Sequence, residues 1–219
     1  MSRSKRLFRL IQKSMPDLVL CKDMLVIPPT DHLVRGFLVE ATSQRERVYL
    51  WKVVTPLLRP INSVILSYSD RISGNKPDLY VRNDAFEKSA ENIRTIISEH
   101  VEYLRGIRHP DDFLRHASWV VDGSPVLARF DQALMHYVIG NVQQAVEALR
   151  ALDKEVDGWD ARRKEYVEPL LKQLLREIDI DPLRPTALLA EWEQQNVERL
   201  GLQPSRLSSD QPSSRVPVN

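Results

Sequence analysis

Residues 35–54, RGFLVEATSQRERVYLWKVV, decide the fold of the first third of this chain. Apolar side chains alternate with polar ones over Arg35–Thr42, and alternate again over Arg47–Leu58, with the polar residues 43–46 between the two runs. A period of two is typical of half-buried β-strands, and a short polar link joins antiparallel neighbours. The segment therefore predicts an antiparallel hairpin.

Shorter apolar runs flank this hairpin. Leu18–Cys21 and Met24–Ile27 precede it, and an alternating run of Val64, Leu66 and Tyr68 follows it. We expect the last run to add a third strand, which extends the hairpin to a β-meander. Strands with apolar residues on both faces need another layer packed against them.

After residues 73–78, a loop by composition, the apolar spacing changes from two to three and four. This change predicts a long helix over about residues 84–106, ended by Gly106 and Pro110. The same spacing predicts further helices over residues 111–120, 125–139, 142–152, 160–178 and 186–200.

Individual residues predict where some of these helices begin or bend. Asp84 with Glu87 fits a capping box at the start of the long helix. Thr186 is predicted to cap the last helix. Pro169 is expected to kink its helix or to start a new one, because proline has no backbone N–H and clashes with the preceding turn.

These elements together predict an α+β protein: an N-terminal antiparallel β-meander with a flanking helix, then a C-terminal helical bundle and a disordered tail. We expect an N-terminal helix and sheet over residues 1–78, a helical region over 79–200, and a Ser-, Pro- and Gln-rich tail over 201–219. The 219 residues suit one large domain or two small ones, so the helical region can also pack on the sheet as one domain.

Part of the helical region resembles a known repeat. The resemblance is to one unit of the tetratricopeptide repeat, and it rests on Ala133-Leu134, Tyr137, Gly140-Asn141, Ala145 and Leu149. In that family small residues let two antiparallel helices pack closely, but a solenoid needs about three units at a spacing of about 34 residues. No second copy occurs at that spacing, so the pattern predicts an αα-hairpin.

Residues 3–14 predict an amphipathic helix with three alternative roles. Its apolar side chains can dock on the core and leave the basic face in solvent. The basic side chains can instead contact nucleic acid or an acidic partner, or the segment can lie on a membrane or direct targeting. The candidate binding residues on this helix are Arg3, Lys5, Arg6 and Arg9.

The second strand of the hairpin carries three more candidate binding residues. Arg47, Tyr49 and Trp51 point to the same side of a strand. If a helix covers that side, the two aromatic residues belong to the core. If the side is open, it can stack nucleic-acid bases or serve as a hot spot for another protein.

Composition is ordinary, and charge is uneven. Apolar residues make up 42% and charged residues 28% of the chain, with a net charge of +1. Basic residues outnumber acidic ones by 11 to 5 in residues 1–60, whereas acidic residues outnumber basic ones by 16 to 12 in residues 121–219. This asymmetry can mark different partners for the two ends.

Several features point to a soluble protein in a reducing compartment. No apolar run reaches the roughly 18 residues that a transmembrane helix needs, and no apolar segment of a signal peptide follows the basic N-terminus. Cys21 has no second cysteine to pair with, and we expect a buried thiol. We therefore predict a cytoplasmic protein.

No motif in the chain predicts a cofactor or a metal. Neither GxGxxG nor GxxxxGK[ST] occurs, and HExxH and CxxC are also missing. His109, Asp112 and His116 are close in sequence, but the two aspartates at 111 and 112 favour a helix start rather than a metal site. We expect no metal site and no cofactor.

These observations favour a non-catalytic protein that binds another protein, as an adaptor, an inhibitor-type partner or a complex subunit. One alternative is a nucleic-acid-associated protein that uses the basic N-terminus and the hairpin. Another is an enzyme with a site assembled from dispersed residues, around His109, Asp112 and His116. The oligomeric state stays open.

Overall fold

A computed structural model of the protein describes residues 2–44, 46–63, 66, 68–72, 79–117 and 125–202. Within these ranges the strands are β1 (Val19–Cys21), β2 (Met24–Val26), β3 (Leu33–Ala41), β4 (Arg47–Pro56), β5 (Asp70–Arg71) and β6 (Leu79–Tyr80). They form one antiparallel sheet, in which β1 to β5 are neighbours in chain order and β6 also pairs with β4. The predicted antiparallel meander is therefore confirmed.

The predicted hairpin is the centre of this sheet. β3 and β4 pair antiparallel from Leu33 opposite Pro56 to Ala41 opposite Val48. The long, continuous pairing follows from the alternating pattern, because a slip of one residue would turn every buried side chain towards solvent. The hairpin thus lies where the sequence predicts it, although β4 ends at Pro56 rather than at Leu58.

The third strand differs from the prediction. Val64 lies outside the described residues, and neither Leu66 nor Tyr68 belongs to a strand. Tyr68 instead points into the core, where its hydroxyl donates a hydrogen bond to the Asp131 carboxylate over 2.8 Å. The chain pairs with β4 only afterwards, through the two residues of β5.

Seven α-helices occur in the described part of the chain, together with a 3₁₀ helix at Val156–Gly158. No described helix combines the length and the apolar composition that a membrane span requires. The helices are α1 (Arg3–Ser14), α2 (Phe86–Arg105), α3 (Pro110–Ala117), α4 (Pro125–Val138), α5 (Val142–Lys154), α6 (Ala161–Ile180) and α7 (Pro185–Leu200). The predicted αα-hairpin is present as α4 and α5.

The predicted capping box at the start of α2 is wrong. The residue before the helix is Ala85, which makes no side-chain cap. The Asp84 carboxylate instead accepts two hydrogen bonds from the Arg82 guanidinium, at 3.1 and 2.7 Å. A charge-assisted, two-point bond to arginine competes with a single bond to a backbone N–H.

The predicted cap of the last helix is wrong, and one of the two alternatives predicted for Pro169 is excluded. Thr186 does not precede α7, because the helix already begins at Pro185, whose fixed φ suits a first helical position. Pro169 lies inside α6, which continues to Ile180, so it does not start a new helix. The proline is exposed, and burial of Leu171 and Leu174 beyond it holds the helix against the core.

The inner face of the sheet is covered by helices. Phe37 and Leu50 are fully buried there, in the same apolar cluster as Leu7, Phe8 and Ile11 of α1. The cluster continues through α2 into the C-terminal helices, to Leu134, Leu171 and Trp192. The predicted docking of the apolar face of α1 on the core is therefore observed, and sheet and helices share one core.

Among the described residues, the end of α7 packs on the outer face of the sheet, together with residues that follow β4. Val34 and Val53 of the sheet form a second apolar cluster with Val197, Leu200 and Leu202. This contact is fixed by the buried Asn196 amide, which donates to the backbone oxygens of Leu57 and Arg59 and accepts from the N–H of Ile61, at 2.6 to 3.0 Å.

The predicted tail begins inside this contact. Gly201 ends α7 with φ at +70°, a left-handed conformation that glycine adopts without strain. Leu202 is buried against the sheet, and residues 203–219 lie outside the described residues.

Cys21 is buried as expected; its thiol donates to the Leu200 carbonyl over 2.9 Å, and burial raises its pKa.

Candidate functional site

β4 divides its side chains between the two faces of the sheet. Val48 and Leu50 belong to the inner core, so the alternate residues Tyr49 and Trp51 point outwards. Both are half-buried, and Trp51 packs against the apolar cluster that the end of α7 forms on this face. The two aromatic residues are therefore neither core residues nor fully exposed ones.

Arg71 of β5 lies across both aromatic rings. Its guanidinium carbon is 3.8 Å from the centroid of the Tyr49 ring and 5.5 Å from that of Trp51. Stacking on an aromatic face attracts a cation and holds the long side chain in one place. The residue is exposed, so the N–H edge of the guanidinium can still bind a planar anion such as a carboxylate.

Three further residues complete this surface. The indole N–H of Trp51 donates a hydrogen bond to the Glu40 carboxylate over 2.9 Å. Arg47 lies opposite Tyr80 in the β4–β6 pairing, and Tyr80 is 52% exposed. We call this surface the outer patch; its members are Glu40, Arg47, Tyr49, Trp51, Arg71 and Tyr80.

Three of the six residues of the outer patch were predicted from the sequence: Arg47, Tyr49 and Trp51. Glu40 was within reach, because the hairpin register places it opposite Tyr49. Arg71 and Tyr80 were not, because each lies in a strand of two residues that carries no periodic signal. Their pairing with β4 depends on tertiary structure that no local pattern encodes.

The predicted basic residues of α1 are not gathered on one surface. Arg3 lies 4.0 Å from Glu46 in the hairpin turn, next to the end of the outer patch. The Arg6 guanidinium lies over the Phe86 ring of α2, at 4.4 Å. Lys5 is half-buried and Arg9 is exposed. Only Arg3 thus reaches towards the predicted residues of β4.

The alternative site around α3 is assembled only in part. Asp112 accepts hydrogen bonds from the N–H groups of Arg108 and His109, both at 2.9 Å, and therefore caps the helix as expected. These bonds hold the pKa of Asp112 below its ordinary value, although partial burial acts the other way. Asp112 and His116 line the same cavity, whereas His109 is exposed at the helix start.

That cavity contains a second polar pair, which the sequence did not indicate. The hydroxyl of Tyr103 on α2 lies 2.8 Å from Nδ1 of His116. The Lys52 ammonium of β4 lies 4.8 Å from the centroid of the Tyr103 ring and 2.9 Å from the Asp70 carboxylate. Lys52 belongs to the inner face of the sheet. Tyr103 and His116 therefore lie on the opposite side of the sheet from the outer patch.

A third polar centre lies where the chain leaves β4. Arg59 and Asp131 are both almost fully buried and form an ion pair, with Nε of Arg59 2.6 Å from Oδ1 of Asp131. Burial alone would lower the pKa of Arg59, but the adjacent carboxylate outweighs it and raises this pKa. Burial and the same carboxylate raise the pKa of Tyr68. Arg59 also donates to the Tyr166 hydroxyl over 2.6 Å, beside an open cavity of about 840 Å³.

Comparison with known proteins adds no assignment. No protein-family model matches the chain, and neither a curated protein nor a solved structure shows significant similarity to it. Across the part of the chain that the structure describes, no three His, Cys, Asp or Glu side chains are grouped so that they could hold a metal ion.

Proposed function

We propose that this protein acts by binding another protein through the outer patch, as an adaptor, an inhibitor-type partner or a subunit of a larger assembly. The observation that carries the proposal is the stack of Arg71 on Tyr49 and Trp51 at a half-exposed position. Tryptophan, tyrosine and arginine dominate the hot spots of protein interfaces. Side chains that are already ordered lose less conformational entropy when a partner binds.

The charges of the outer patch favour an acidic partner surface. Arg71 contributes an exposed guanidinium, the half-buried Arg47 adds a second positive charge, and Glu40 contributes one carboxylate that already accepts the indole N–H of Trp51. Arginine binds carboxylates through two parallel hydrogen bonds. We therefore expect the partner to present aspartate or glutamate side chains around an apolar contact with the aromatic rings.

The same arrangement makes nucleic acid the weaker candidate. Glu40 lies opposite Tyr49 on the neighbouring strand and bonds to Trp51, so its charge would repel a phosphate chain that follows β4. Arg6 stacks on Phe86 and does not extend the patch, and Arg3, at the end of the patch, lies beside the Glu46 carboxylate, which partly balances its charge. A net charge of +1 also gives little long-range attraction to a polyanion. As part of the proposal we place the protein in the cytoplasm, because its one cysteine has no disulfide partner.

The test is quantitative capture of partners from native lysate by the tagged full-length protein, with and without nuclease. A variant carrying W51A and R71A removes the stacked pair. The matched control is R150A, which removes an exposed arginine of the helical region paired with Asp179. We expect one protein to be captured in a fixed ratio by the native protein and by R150A, and at least about tenfold less by W51A/R71A, as for loss of a hot spot.

The outcomes separate the alternatives. Capture that survives nuclease and is lost in W51A/R71A supports the proposal. Capture that W51A/R71A retains overturns it, whatever the partner is. If the protein captures nucleic acid, and this binding weakens steeply with salt, the result would support the nucleic-acid alternative instead.

A further inference from the structure

The pair formed by Tyr103 and His116 has a defined proton arrangement. Nε2 of His116 lies 3.1 Å from the backbone oxygen of Tyr68. A carbonyl oxygen only accepts hydrogen bonds, so Nε2 carries the ring proton and Nδ1 is the acceptor. The hydroxyl of Tyr103, 2.8 Å away, therefore donates its hydrogen bond to Nδ1.

The surroundings keep this imidazole neutral. Only 7% of the His116 surface is exposed, and this burial lowers the pKa of its imidazole. The Tyr68 carbonyl opposes that shift without cancelling it. A neutral ring near pH 7 is a proton acceptor that is ready for use. The charged groups around the pair come from four elements: Lys52, Asp70, Glu102, Asp112 and Arg115.

The tyrosine is accessible from solvent. Tyr103 is 48% exposed and lines a cavity of about 480 Å³ together with His116. Lys52 lies beneath its ring and Arg115 lines the rim of the same cavity. A small molecule that enters this cavity therefore meets the side chain of Tyr103, while the imidazole of His116 is buried.

A hydroxyl, a base within hydrogen-bond distance and a third group that orients the base are the parts of an activated nucleophile. Tyr103, His116 and the Tyr68 carbonyl supply these three parts. We propose that Tyr103 is an acyl-accepting nucleophile that reacts with activated carboxylic esters. This role goes beyond protein binding and uses the opposite face of the sheet.

The reaction is a simple transfer. Oη of Tyr103 attacks the ester carbon and forms a new C–O bond, while its proton moves to Nδ1 of His116. The bond to the leaving alkoxide or phenoxide then breaks, and the leaving group takes the proton from His116. The products are an acylated Tyr103 and a free alcohol or phenol, with no oxidant or reductant required.

The chain provides its own control in Tyr80. Tyr80 is 52% exposed, similar to Tyr103, but it lies in the outer patch, where register places Arg47 rather than a histidine opposite it. The full-length protein is incubated with p-nitrophenyl acetate, and acetylation of each tyrosine is followed by peptide mass spectrometry. General-base assistance contributes about 10² to 10⁴-fold, so we expect Tyr103 to be acetylated at least about 100-fold faster than Tyr80.

Variants and pH test the role of His116. Y103F should abolish the fast phase of p-nitrophenol release, and H116N should slow it to the rate of Tyr80. The native rate should stay high below the ordinary imidazole range and fall only at more acidic pH, where the buried ring becomes protonated. Equal acetylation of Tyr103 and Tyr80 in the native protein would overturn the proposal, even if H116N failed to fold. A folded H116N with the native rate would do so as well.

Discussion

The inner and outer faces of the sheet are made by the same strands but differ in how far their side chains are buried. On the inner face Leu50 and Phe37 are fully buried beneath helices. On the outer face the neighbouring Tyr49 and Trp51 are half-buried, with an exposed Arg71 across their rings. The inner face supplies stability, whereas the outer patch contains the residue types that proteins use to bind one another.

The largest loss of stability should come from breaking the buried ion pair of Arg59 and Asp131. Asp131→Ala leaves the guanidinium of Arg59 buried without its counter-charge and removes the acceptor of the Tyr68 hydroxyl. Breaking a buried pair in this way costs about 3–5 kcal/mol. We expect the free energy of unfolding, measured with urea, to fall by that amount.

A matched control for this change is Asp179→Ala. Asp179 also pairs with an arginine, Arg150, but both side chains are more than half exposed. Solvent screens such a pair, so its loss should change stability little. Similar losses for the two variants would contradict the view that the Arg59–Asp131 pair is structural.

The next prediction compares two adjacent residues of β4 directly. Leu50→Ala removes a fully buried side chain and should lower the free energy of unfolding by about 2–5 kcal/mol. Tyr49→Ala removes a half-exposed ring on the other face and should cost only about 1 kcal/mol. Urea unfolding of both variants measures the difference between the faces, and equal costs would mean that the outer face is core.

The smallest effect concerns the contact that holds α7 at the sheet. The backbone N–H and Nδ1 of His32 both lie 2.7 Å from the Glu193 carboxylate. Burial alone would lower the pKa of His32, but the hydrogen bond and charge of Glu193, with Asp31, raise it above its ordinary value of 6.5. Charged His32 therefore adds stability that is complete below pH 6.5 and is lost as pH rises through the raised pKa.

The size of this effect is less than about 1 kcal/mol, because the pair is partly exposed. The difference in unfolding free energy between the native protein and H32Q, measured from pH 5 to 9, isolates it. That difference should shrink as pH rises. His116 acts in the opposite direction, because its lowered pKa makes stability fall towards acid, and the subtraction removes its contribution. A difference that does not change with pH would contradict the assigned shift.

Local patterns predicted the fold better than the sites. The period of two in residues 35–54 predicts the β3–β4 hairpin, and the spacing of three and four after residue 84 predicts α2, since both depend on near neighbours in the chain. The predicted cap at Asp84 failed because Arg82, two residues away, competes for the same carboxylate. Hydrogen-bond competition of this kind is not visible in periodicity.

The sites depend on contacts between distant residues. Alternation shows that Tyr49 and Trp51 share a face, but it does not show which face the helices cover. Arg59 meets Asp131 across 72 positions of sequence. Tyr103 meets His116 through the packing of two helices that are joined by a short link. These pairings follow from the shared core, and no single segment encodes them.

The most direct test of the account is the behaviour of Trp51 when a partner binds. The indole N–H signal of Trp51 in the NMR spectrum, assigned with W51F, is compared before and after addition of the captured partner, and the buried Trp159 and Trp192 serve as internal references. If the outer patch binds the partner, we expect the Trp51 signal to shift or broaden, while the signals of the two reference tryptophans do not change. An unchanged Trp51 signal on a fully formed complex would contradict the claim that the outer patch is the binding surface.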